Sequence, residues 1–564
     1  MRRFGIPKAG GFLAAWAVGF LLWTDASAAA TPFSKEPYLA NAGPTAVTIH
    51  YEAASPGDGV VLFGTGGAMN RQVPATLFEK CSYPANPKDK SSPKVAAYLY
   101  RARLTDLVPG TSYQYQVLPA GKGGPASTAK TFRTFPLKPE RITFIAYGDT
   151  RTNAAAHRSV AACFSRHEPL FILHDGDLVT SGKALELWGP QFFTPLADVI
   201  DHVPIMPALG NHEGGAENLL RFFDQPGGRT WYSFDCGPVH VTVLDDQQTK
   251  PENVQWLDQD LAAAKAPWKI AMYHAPTFNL EGHKSDAVRL TFLPVFEKYG
   301  VDVVVAGHSH TYERFVPLVR KGPPTAGAAA GVRGVAGAAA PRPITFITAG
   351  GGGAPLVKVS AGPKPAILAK TERAYHYCVF TVDAETLRVE VLGADGAKID
   401  ALTITKKGGR YDAAYLAQAR PMEEAILVQG VLTAPAPVID AAPTIEKPAA
   451  VSLKLRFLGL GAPAALSVRL AEASAGAYAM DPVAVDVATE KEATVALKVR
   501  ALKNAAGEKG AGEKGAALKP ELRFILTAKA LGFEATGETG PAAYRSADKE
   551  KSKGKAAEEA EATP

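Results

Sequence analysis

Hydrophobic and polar residues alternate in short runs near the start of the chain. The alternation is clearest over residues 45–51 and 113–117, and turn residues such as Pro109-Gly110 separate the runs. A period of two is typical of strands with one buried face, and several such strands at short spacing favour a β-sandwich. The pattern predicts an all-β domain over residues 32–136.

The pattern changes after residue 140, where continuous apolar runs alternate with helical periodicity. Predicted strands occupy 142–147, 170–173, 239–244, 270–273, 301–306, 344–348 and 378–382, and predicted helices occupy 154–163 and 256–264. Uninterrupted apolar strands are buried on both faces, and their alternation with helices indicates an α/β domain. We expect this domain to extend over residues 140–405, interrupted by an insert rich in Gly, Ala and Pro at 322–343.

Alternation returns in the last third of the chain. Residues 406–442 have the composition of a helix followed by a Pro/Ala-rich linker, and 443–545 contain strand patterns at 451–457 and 494–499. These features predict a second β-sandwich. Its 503–518 segment repeats Gly-Glu-Lys-Gly and indicates a disordered loop, and residues 546–564 have the polar composition of a disordered tail.

The N-terminus has the three parts of a secretory signal. Basic Arg2, Arg3 and Lys8 precede an apolar stretch at 10–23, and Ala26-Ser27-Ala28 provides a small-x-small cleavage site. An uncleaved membrane anchor is the alternative, but the stretch is shorter than the ~20 residues of a membrane span. We predict a signal peptide at 1–28, no stable membrane span after cleavage, and a periplasmic or secreted protein.

Composition and charge indicate which kinds of binding partner the protein is expected to have. The 564 residues are 46% hydrophobic and 21% charged, which is typical of several globular domains. The formal net charge of +6 is small, and Lys and Arg are scattered, so nucleic-acid binding is not expected. The four cysteines are compatible either with a disulfide, which export permits, or with buried free thiols.

Candidate metal ligands follow the predicted strands of the α/β domain. The β-branched run 303–305 leads into Gly307-His308-Ser309-His310, and residues i and i+2 of an extended segment project to the same side. Taken singly, Asp149 could be a helix cap, Asn211-His212 a turn and His274 a core histidine. Because ligands bind at the carboxyl ends of strands in α/β sheets, the set together predicts one site. The candidates are Asp149, Asp177, Asn211, His212, His274, His308 and His310.

Hydrolysis of a phosphoester explains why such a set would be needed. The reaction must deliver a nucleophile at neutral pH to an anion that repels it. Two cations ~3.5–4 Å apart can activate a water molecule and neutralise the phosphate oxygens. Such a pair needs one carboxylate able to contact both ions, and Asp177 is the natural candidate.

These residues resemble the five ordered motifs of calcineurin-like metallophosphoesterases. The motifs are Gly148-Asp149, Gly176-Asp177, Gly210-Asn211-His212-Glu213, His274 and Gly307-His308-Ser309-His310. The N-terminal domain, which looks like a fibronectin type III domain, and the spacing from His274-Ala275-Pro276 to His283 are similar to purple acid phosphatases. The resemblance covers residues 36–405.

The resemblance implies a fold and roles for individual residues. The fold is an α/β (α+β) core of two packed mixed β-sheets flanked by helices. Two divalent or mixed-valence ions (Fe, Zn or Mn) are implied. Site two is assigned to Asp177, Asn211, His274 and His308, and site one to Asp149, Asp177 and His310. His212 would lie by the phosphate and assist the leaving group, and His283 would lie on the substrate side.

Two positions depart from the family pattern. Arg151 stands where many members have a histidine ligand, and Thr180 stands where purple acid phosphatases have a tyrosine that binds iron(III). A guanidinium cannot ligate a metal, but Arg151 could pair with a phosphate oxygen. His157 is our candidate for the missing ligand of site one; a surface histidine or a phosphate contact are the alternatives. His174 and Asp175 either orient ligands or serve local packing.

The sequence thus predicts an exported metallophosphoesterase of the acid phosphatase type. Its substrate would be a small phosphomonoester, hydrolysed by in-line attack of a metal-bound hydroxide. A phosphodiesterase of the same fold is the alternative enzyme. The alternative of another class is a non-catalytic protein that binds a surface or a carbohydrate through its two β-sandwiches.

Overall fold

The structure is a computed structural model that describes residues 33–119, 126–283, 288–321, 342–440, 443, 446–488, 492–502 and 521–544. The predicted signal peptide (1–28) and polar tail (546–564) lie outside these residues, as do the 503–518 repeat and nearly all of the 322–343 insert. Among the helices described, none has the length and apolar character needed to cross a bilayer.

The N-terminal region consists of two facing antiparallel sheets. One sheet has the order β1-β2-β6-β5 and the other β4-β3-β7-β8. Tyr51, Phe63 and Val117 lie between them with less than 3% of their surfaces exposed. The strands are β1 Phe33–Ala40, β2 Val47–Ala53, β3 Val60–Gly64, β4 Arg71–Pro74, β5 Thr76–Asn86, β6 Asp89–Leu104, β7 Ser112–Leu118 and β8 Lys130–Arg133.

Two mixed sheets form the centre of the molecule. One has the order β11-β10-β9-β20-β21-β22-β23 and the other β12-β13-β14-β15-β18-β16-β19. The strands are β9 Ile142–Tyr147, β10 Ile172–His174, β11 Ile205–Pro207, β12 Tyr232–Cys236, β13 Val239–Val243, β14 Trp268–Met272, β15 Val303–Ala306, β16 Tyr312–Phe315, β17 Leu318–Val319, β18 Thr345–Ala349, β19 Leu368–Glu372, β20 His376–Val382, β21 Thr386–Gly393, β22 Lys398–Lys407 and β23 Arg410–Tyr411.

The unbroken apolar runs of the central strands follow from burial on both faces. In β9, Phe144 packs into the core between the two sheets, whereas Ile145 packs under the helices on the outer face. In β15, Val305 faces the inter-sheet core and Val304 faces outward against other helices. Strands β9, β10 and β11 are parallel, as are β13, β14, β15 and β18. Their carboxyl ends therefore bring the following loops together at one edge.

Short helices lie around this double sheet and in the C-terminal region. They are α1 Ala154–Ala161, α2 Leu185–Trp188, α3 Thr194–Ile200, α4 Glu217–Phe223, α5 Pro251–Ala263, α6 Val288–Thr291, α7 Leu293–Tyr299, α8 Ala413–Ala417, α9 Met422–Leu432 and α10 Glu472–Ala475. The described sheets and helices confirm the predicted fold class.

The C-terminal strands form two further facing sheets. Their orders are β28-β30-β26-β25-β33 and β29-β27-β31-β32, while β24 pairs with β17. The strands are β24 Arg420–Pro421, β25 Val438–Ile439, β26 Ala449–Leu455, β27 Ala464–Leu470, β28 Tyr478–Ala479, β29 Val483–Val487, β30 Ala493–Ala501, β31 Phe524–Ala530, β32 Phe533–Glu538 and β33 Ala543–Tyr544. A β-sandwich is therefore present in the C-terminal region. The predicted domain boundaries at 136, 140, 405 and 442 stay predictions.

All four cysteines are free thiols. Cys163, Cys236 and Cys378 are buried and Cys81 is partly buried. Of the two alternatives that the sequence left open, the structure contains the free thiols.

Candidate metal centre

The candidate ligands lie in the loops that follow the parallel strands. Asp149 follows β9, Asp177 follows β10, Asn211 follows β11, His274 follows β14, and His308 and His310 follow β15. Asp149, Asp177 and His308 have φ angles of 53°, 56° and 65°, in the left-handed region that side-chain-bearing residues rarely adopt. Such strain persists only where the surrounding structure enforces it, and it is concentrated at functional sites.

Four side chains converge on the position assigned to site two. Asn211 Oδ1 lies 3.0 Å from His274 Nε2 and 3.0 Å from His308 Nδ1, and Asp177 Oδ1 lies 3.3 Å from His274 Nε2. His274 Nδ1 donates a hydrogen bond to the Asp175 carbonyl at 2.9 Å. In the neutral ring Nε2 therefore carries a lone pair, which faces two oxygen acceptors. Burial alone would lower the pKa of His274, but the charges of Asp177 and then Asp149 raise it well above its ordinary value, so in the metal-free pocket a proton stands where a metal ion would bind to this donor set.

Unpaired carboxylate oxygens give a second indication of a cation. The ligand atoms of Asp149, Asp177 and His274 lie within 4.8 Å of one another, and all three residues are buried. Asp149 Oδ1 and both carboxylate oxygens of Asp175 lack a hydrogen-bond partner among the described residues. Burial, and then the charge of Asp149, raises the pKa of Asp175 well above its ordinary value. An excess of buried negative charge fits a site for hard or borderline cations.

The side chains assigned to site one also converge, but a guanidinium lies among them. His310 Nε2 lies 3.4 Å from Asp149 Oδ1, and His310 Nδ1 donates to the Pro355 carbonyl at 2.9 Å. Arg151 Nε donates to Asp177 Oδ2 at 3.1 Å, and Arg151 Nη2 donates to His310 Nε2 at 3.1 Å. The structure thus brings Arg151 to the centre, where it contacts carboxylate and imidazole groups.

His212 lies at the rim of the centre. Its Nδ1 donates to the Thr180 carbonyl at 2.9 Å, which directs Nε2 toward Asp177 Oδ2 at 3.9 Å. About a third of its side chain is exposed, so a ligand can reach it from solvent. Thr180 itself is turned away, because its amide and hydroxyl both donate to Gln191 Oε1.

His283 also reaches the centre. Its ring centroid lies 5.3 Å from that of His308 and 5.0 Å from that of His310. Burial, and then the charge of His310, lowers its pKa below the ordinary value. His283 therefore lies beside two candidate ligands, and its role on the substrate side stays a prediction.

His157 lies apart from this group of ligands. Its Nδ1 donates to the Gln191 carbonyl at 3.0 Å, and its Nε2 accepts from the Tyr147 hydroxyl at 3.0 Å. Both nitrogens are therefore engaged, and no lone pair remains for a metal. The ring is fully buried, so the surface alternative is not observed either. The contacts favour a structural role, and ligation by His157 has no support in this geometry.

Glu213 is a supporting residue to which sequence reasoning gave no role. Its carboxylate accepts hydrogen bonds from the backbone amides of Gly210 at 2.7 Å, Asp177 at 3.0 Å and Leu178 at 2.9 Å. It therefore ties the Asn211 loop to the Asp177 loop. Burial, and then the charge of Asp177, raises its pKa to about 7. Its position in the Gly210-Asn211-His212-Glu213 motif is the sequence feature that could have indicated this role.

Asp246 supports the remaining ligand loop. It accepts from the amides of His274 at 3.1 Å and Ala275 at 3.0 Å. It comes just after β13, in the same sheet as β14, so the criterion of polar residues at strand ends could have found it. Carboxylates that hold ligand backbones in place commonly lie around metal sites.

Two glycines allow the ligand loops to approach closely. A Cβ on Gly307 would lie 2.5 Å from Asp149 Oδ2, and one on Gly210 would lie 2.2 Å from the Asp177 amide nitrogen. In the run 350–353, the Gly352 amide donates to the Gly148 carbonyl at 2.8 Å. The run packs against the Asp149 loop, where a Cβ on Gly352 would lie 2.4 Å from the Gly148 carbonyl oxygen.

The two imidazoles assigned to site two differ in their electrostatics, since the pKa of His274 is raised and that of His308 is lowered. Burial, and then the charge of His274, lowers the pKa of His308 to about 4. Burial alone would raise the pKa of Asp177, yet His274 and the His212 amide hold it below its ordinary value. A deprotonated donor is what metal coordination requires.

Comparisons with known proteins agree with this geometry. Residues 142–312 match the family described as calcineurin-like phosphoesterase, and residues 35–134 match the purple acid phosphatase N-terminal domain. An uncharacterized protein of Mycobacterium tuberculosis is 28% identical over 271 residues, which are 38% of this chain and 50% of that protein. The probable purple acid phosphatase 20 of Arabidopsis thaliana is 31% identical over 252 residues, which are 38% of this chain and 57% of that protein.

A solved structure shares the fold. Purple acid phosphatase PPD1 from yellow lupin (Lupinus luteus) seeds superposes with a TM-score of 0.54 at 18% identity, covering 66% of this chain and 74% of that one. The chain spans between half and three-fifths of the length of the curated relatives described above. The resemblance inferred from the five motifs is confirmed by these matches.

Proposed function

We propose that this chain, which carries a calcineurin-like metallophosphoesterase domain behind a purple acid phosphatase N-terminal domain, hydrolyses phosphate monoesters with two bound metal ions. The observation that carries the proposal is the buried cluster of Asp149, Asp177 and His274, whose ligand atoms lie within 4.8 Å of one another, with Asn211 Oδ1 3.0 Å from both His274 Nε2 and His308 Nδ1. Buried carboxylate oxygens that lack a hydrogen-bond partner, such as Asp149 Oδ1, are unfavourable unless a cation is bound beside them.

The proposed donors divide into two sets that share Asp177. Asp177, Asn211, His274 and His308 would hold one ion, and Asp149, Asp177 and His310 the other. When bound, the two ions would supply an activated water molecule and neutralise the charge of the phosphate oxygens. Because Thr180 cannot provide a phenolate ligand, Zn or Mn fits the donors at least as well as ferric iron.

The remaining groups would act on the substrate. The His212 imidazole is fixed by the Thr180 carbonyl through Nδ1, so Nε2 is free to carry a proton to the departing alkoxide. His283 lies on the exposed side and would contact the phosphate or its substituent. Buried Glu213 would keep the Asp177 and Asn211 loops at a fixed separation.

The substrate class and the mechanism can be tested together. We expect metal-loaded protein to hydrolyse p-nitrophenyl phosphate faster than bis(p-nitrophenyl) phosphate, with elemental analysis giving the bound metals. His308→Ala should lower kcat/KM by at least about 100-fold, because it removes a ligand of site two. Glu385→Gln, an exposed change far along the chain, is the control. Retained activity after metal removal would exclude the metal mechanism, and a preference for the bis-ester would identify a phosphodiesterase.

We also propose that the mature protein is exported to the periplasm or secreted. The support is the basic, apolar and small-residue pattern at 1–28. N-terminal sequencing of protein from the producing cells should begin after Ala28; a sequence that begins at Met1 would contradict export with cleavage.

A further inference from the structure

Arg151 is held at the centre by its own backbone. Its amide donates to the Asp177 carbonyl at 3.3 Å, and the following residue, Thr152, has a φ of 79°. Only 13% of the Arg151 side chain is exposed. The guanidinium is therefore directed inward between the loops that follow β9, β10 and β15.

Two atoms contacted by Arg151 are the donors that an ion in site one would use. Its Nε donates to Asp177 Oδ2, and its Nη2 donates to His310 Nε2, both at 3.1 Å. His310 Nδ1 is committed as a donor to Pro355, so Nε2 carries the only lone pair of the neutral ring. A guanidinium cannot give up its proton at any ordinary pH, so it can only donate to these atoms. Arg151 and a metal ion cannot use the same lone pairs at once.

Site two has no comparable competitor. Around Asn211 Oδ1, the described contacts at 3.0 Å come from His274 Nε2 and His308 Nδ1. Asp177 is shared by both sites, but Arg151 contacts its Oδ2, whereas its Oδ1 is the oxygen that lies 3.3 Å from His274 Nε2. Site one therefore already has a positively charged side chain in contact with its ligand atoms, whereas the ligand atoms of site two face imidazole and amide groups.

We propose that the Arg151 side chain competes with the metal ion for the ligand atoms of site one. Site two therefore binds its ion first and tightly, whereas site one binds its ion more weakly. The inference rests on the two-ion centre of the proposed function, but not on any step of the reaction. Arg151 is thus a residue that sets the relative affinity of the two sites.

The size of the difference follows from the bond that the ion must replace. A hydrogen bond to a charged group is worth a factor of about 10 to 100 in an equilibrium constant. Displacing the bond of Arg151 to His310 Nε2, the one lone pair of that ring, should therefore weaken binding at site one by about 10-fold to 100-fold. Loss of the guanidinium should restore that affinity and leave site two almost unchanged.

Titration of the metal-free protein tests this directly. Full-length protein is stripped with a chelator and titrated with Mn²⁺ by calorimetry. Electron paramagnetic resonance then reports the spin-coupled pair that forms only when both sites are filled. The wild type should bind one ion tightly and a second at least about tenfold more weakly. In Arg151→Gln the weak site should tighten by about 10-fold to 100-fold, with the coupled signal at lower Mn²⁺.

Two further variants bracket the effect. Arg158→Gln, on the exposed face of α1, should bind as the wild type does. Arg151→Lys keeps the positive charge but lacks the planar guanidinium group. The Mn²⁺ affinity of its second site should lie between those of the wild type and Arg151→Gln. Circular dichroism of each variant establishes that it is folded.

The outcomes separate this inference from the proposed function. Equal affinities in the wild type, or an Arg151→Gln variant whose second site is unchanged or weaker, would overturn the competition. If both sites fill as expected and no phosphoester is hydrolysed, the function fails while the competition stands. If the folded wild type binds no metal at all, both are wrong.

Discussion

At the scale of single residues, the sequence predicts the role of a side chain only where the neighbouring residues in the chain determine its contacts. Asp149, Asp177 and His308 became candidate ligands because they follow apolar strands, and each adopts a left-handed backbone conformation there. Such a backbone costs about 1–3 kcal/mol per residue, which the surrounding loops must offset. His157 shows the opposite case, because nothing in its local sequence indicates that Tyr147 and Gln191 engage its two nitrogens.

The engaged nitrogens of His157 give a prediction that differs from the one made from sequence. His157→Ala should leave the metal content unchanged and lower the free energy of unfolding by about 2–4 kcal/mol, because it leaves a cavity and an unpaired Tyr147 hydroxyl. Elemental analysis and urea unfolding measure the two effects. Ser159→Ala, on the exposed face of α1, is the matched control. Loss of one metal equivalent in His157→Ala would restore the role of His157 as a ligand.

At the scale of elements, the strands and their order along the chain were predictable, but the contacts between elements were not. The two-residue period and the apolar runs predicted sheets because they reflect burial, which is a local consequence of the strand. Arg151 is next but one to a ligand, yet its contacts depend on how the loops after β10 and β15 approach it. Such an approach is fixed by tertiary packing and leaves no period in the sequence.

A buried histidine joins three elements on the far side of the second sheet. His240 of β13 contacts Asp235 of β12 through Nδ1 at 2.8 Å and Asp260 of α5 through Nε2 at 3.0 Å. Burial alone would lower its pKa, but the two carboxylates raise it to about 9. Because this folded-state pKa lies above the unfolded value of about 6.5, the charged pair stabilises the fold fully below about pH 6.5. That stabilisation is lost as the pH rises through about 9.

Replacement of His240 should therefore have a pH-dependent cost. A shift of this size corresponds to at most about 3 kcal/mol, and the exposure of Asp235 reduces it to about 2 kcal/mol. We expect His240→Gln to lower the unfolding free energy by that amount at pH 6 and by much less at pH 10, measured with urea. Asp235→Asn, which removes the exposed partner, should show a smaller loss. An equal loss at both pH values would show that the charge does not contribute.

At the scale of the whole molecule, the C-terminal sandwich shares its core with the central sheets. One continuous apolar cluster includes Leu257 of α5, Val304 of β15, Ile426 of α9 and Leu453 of β26. The alternation in residues 443–545 indicated strands but gave no sign of this packing. The sequence feature that indicates this packing is α9, which is apolar on most faces. Such a helix is expected to be buried between two layers.

Polar contacts reinforce the same junction next to the metal centre. Buried Arg289 donates to the Leu458 carbonyl through Nε and to the Thr277 carbonyl through Nη1, both at 3.0 Å. Thr277 lies in the loop between His274 and His283. Arg320 donates to the Gly459 carbonyl at 3.0 Å. The C-terminal sandwich therefore braces a loop that carries candidate site residues.

A shared core makes a prediction about cooperativity. Calorimetry of the intact protein should show the central sheets and the C-terminal sandwich unfolding in one transition, because neither can expose its side of the cluster alone at low cost. Metal removal should lower the temperature of that whole transition, since the ions bind only the folded state. Arg289→Ala should lower it further, whereas Arg388→Ala, on an exposed strand position, should not. The contrary result would be two separate transitions, with only one of them shifted by the chelator. The sandwich would then fold independently, and the shared cluster would contribute little to its stability.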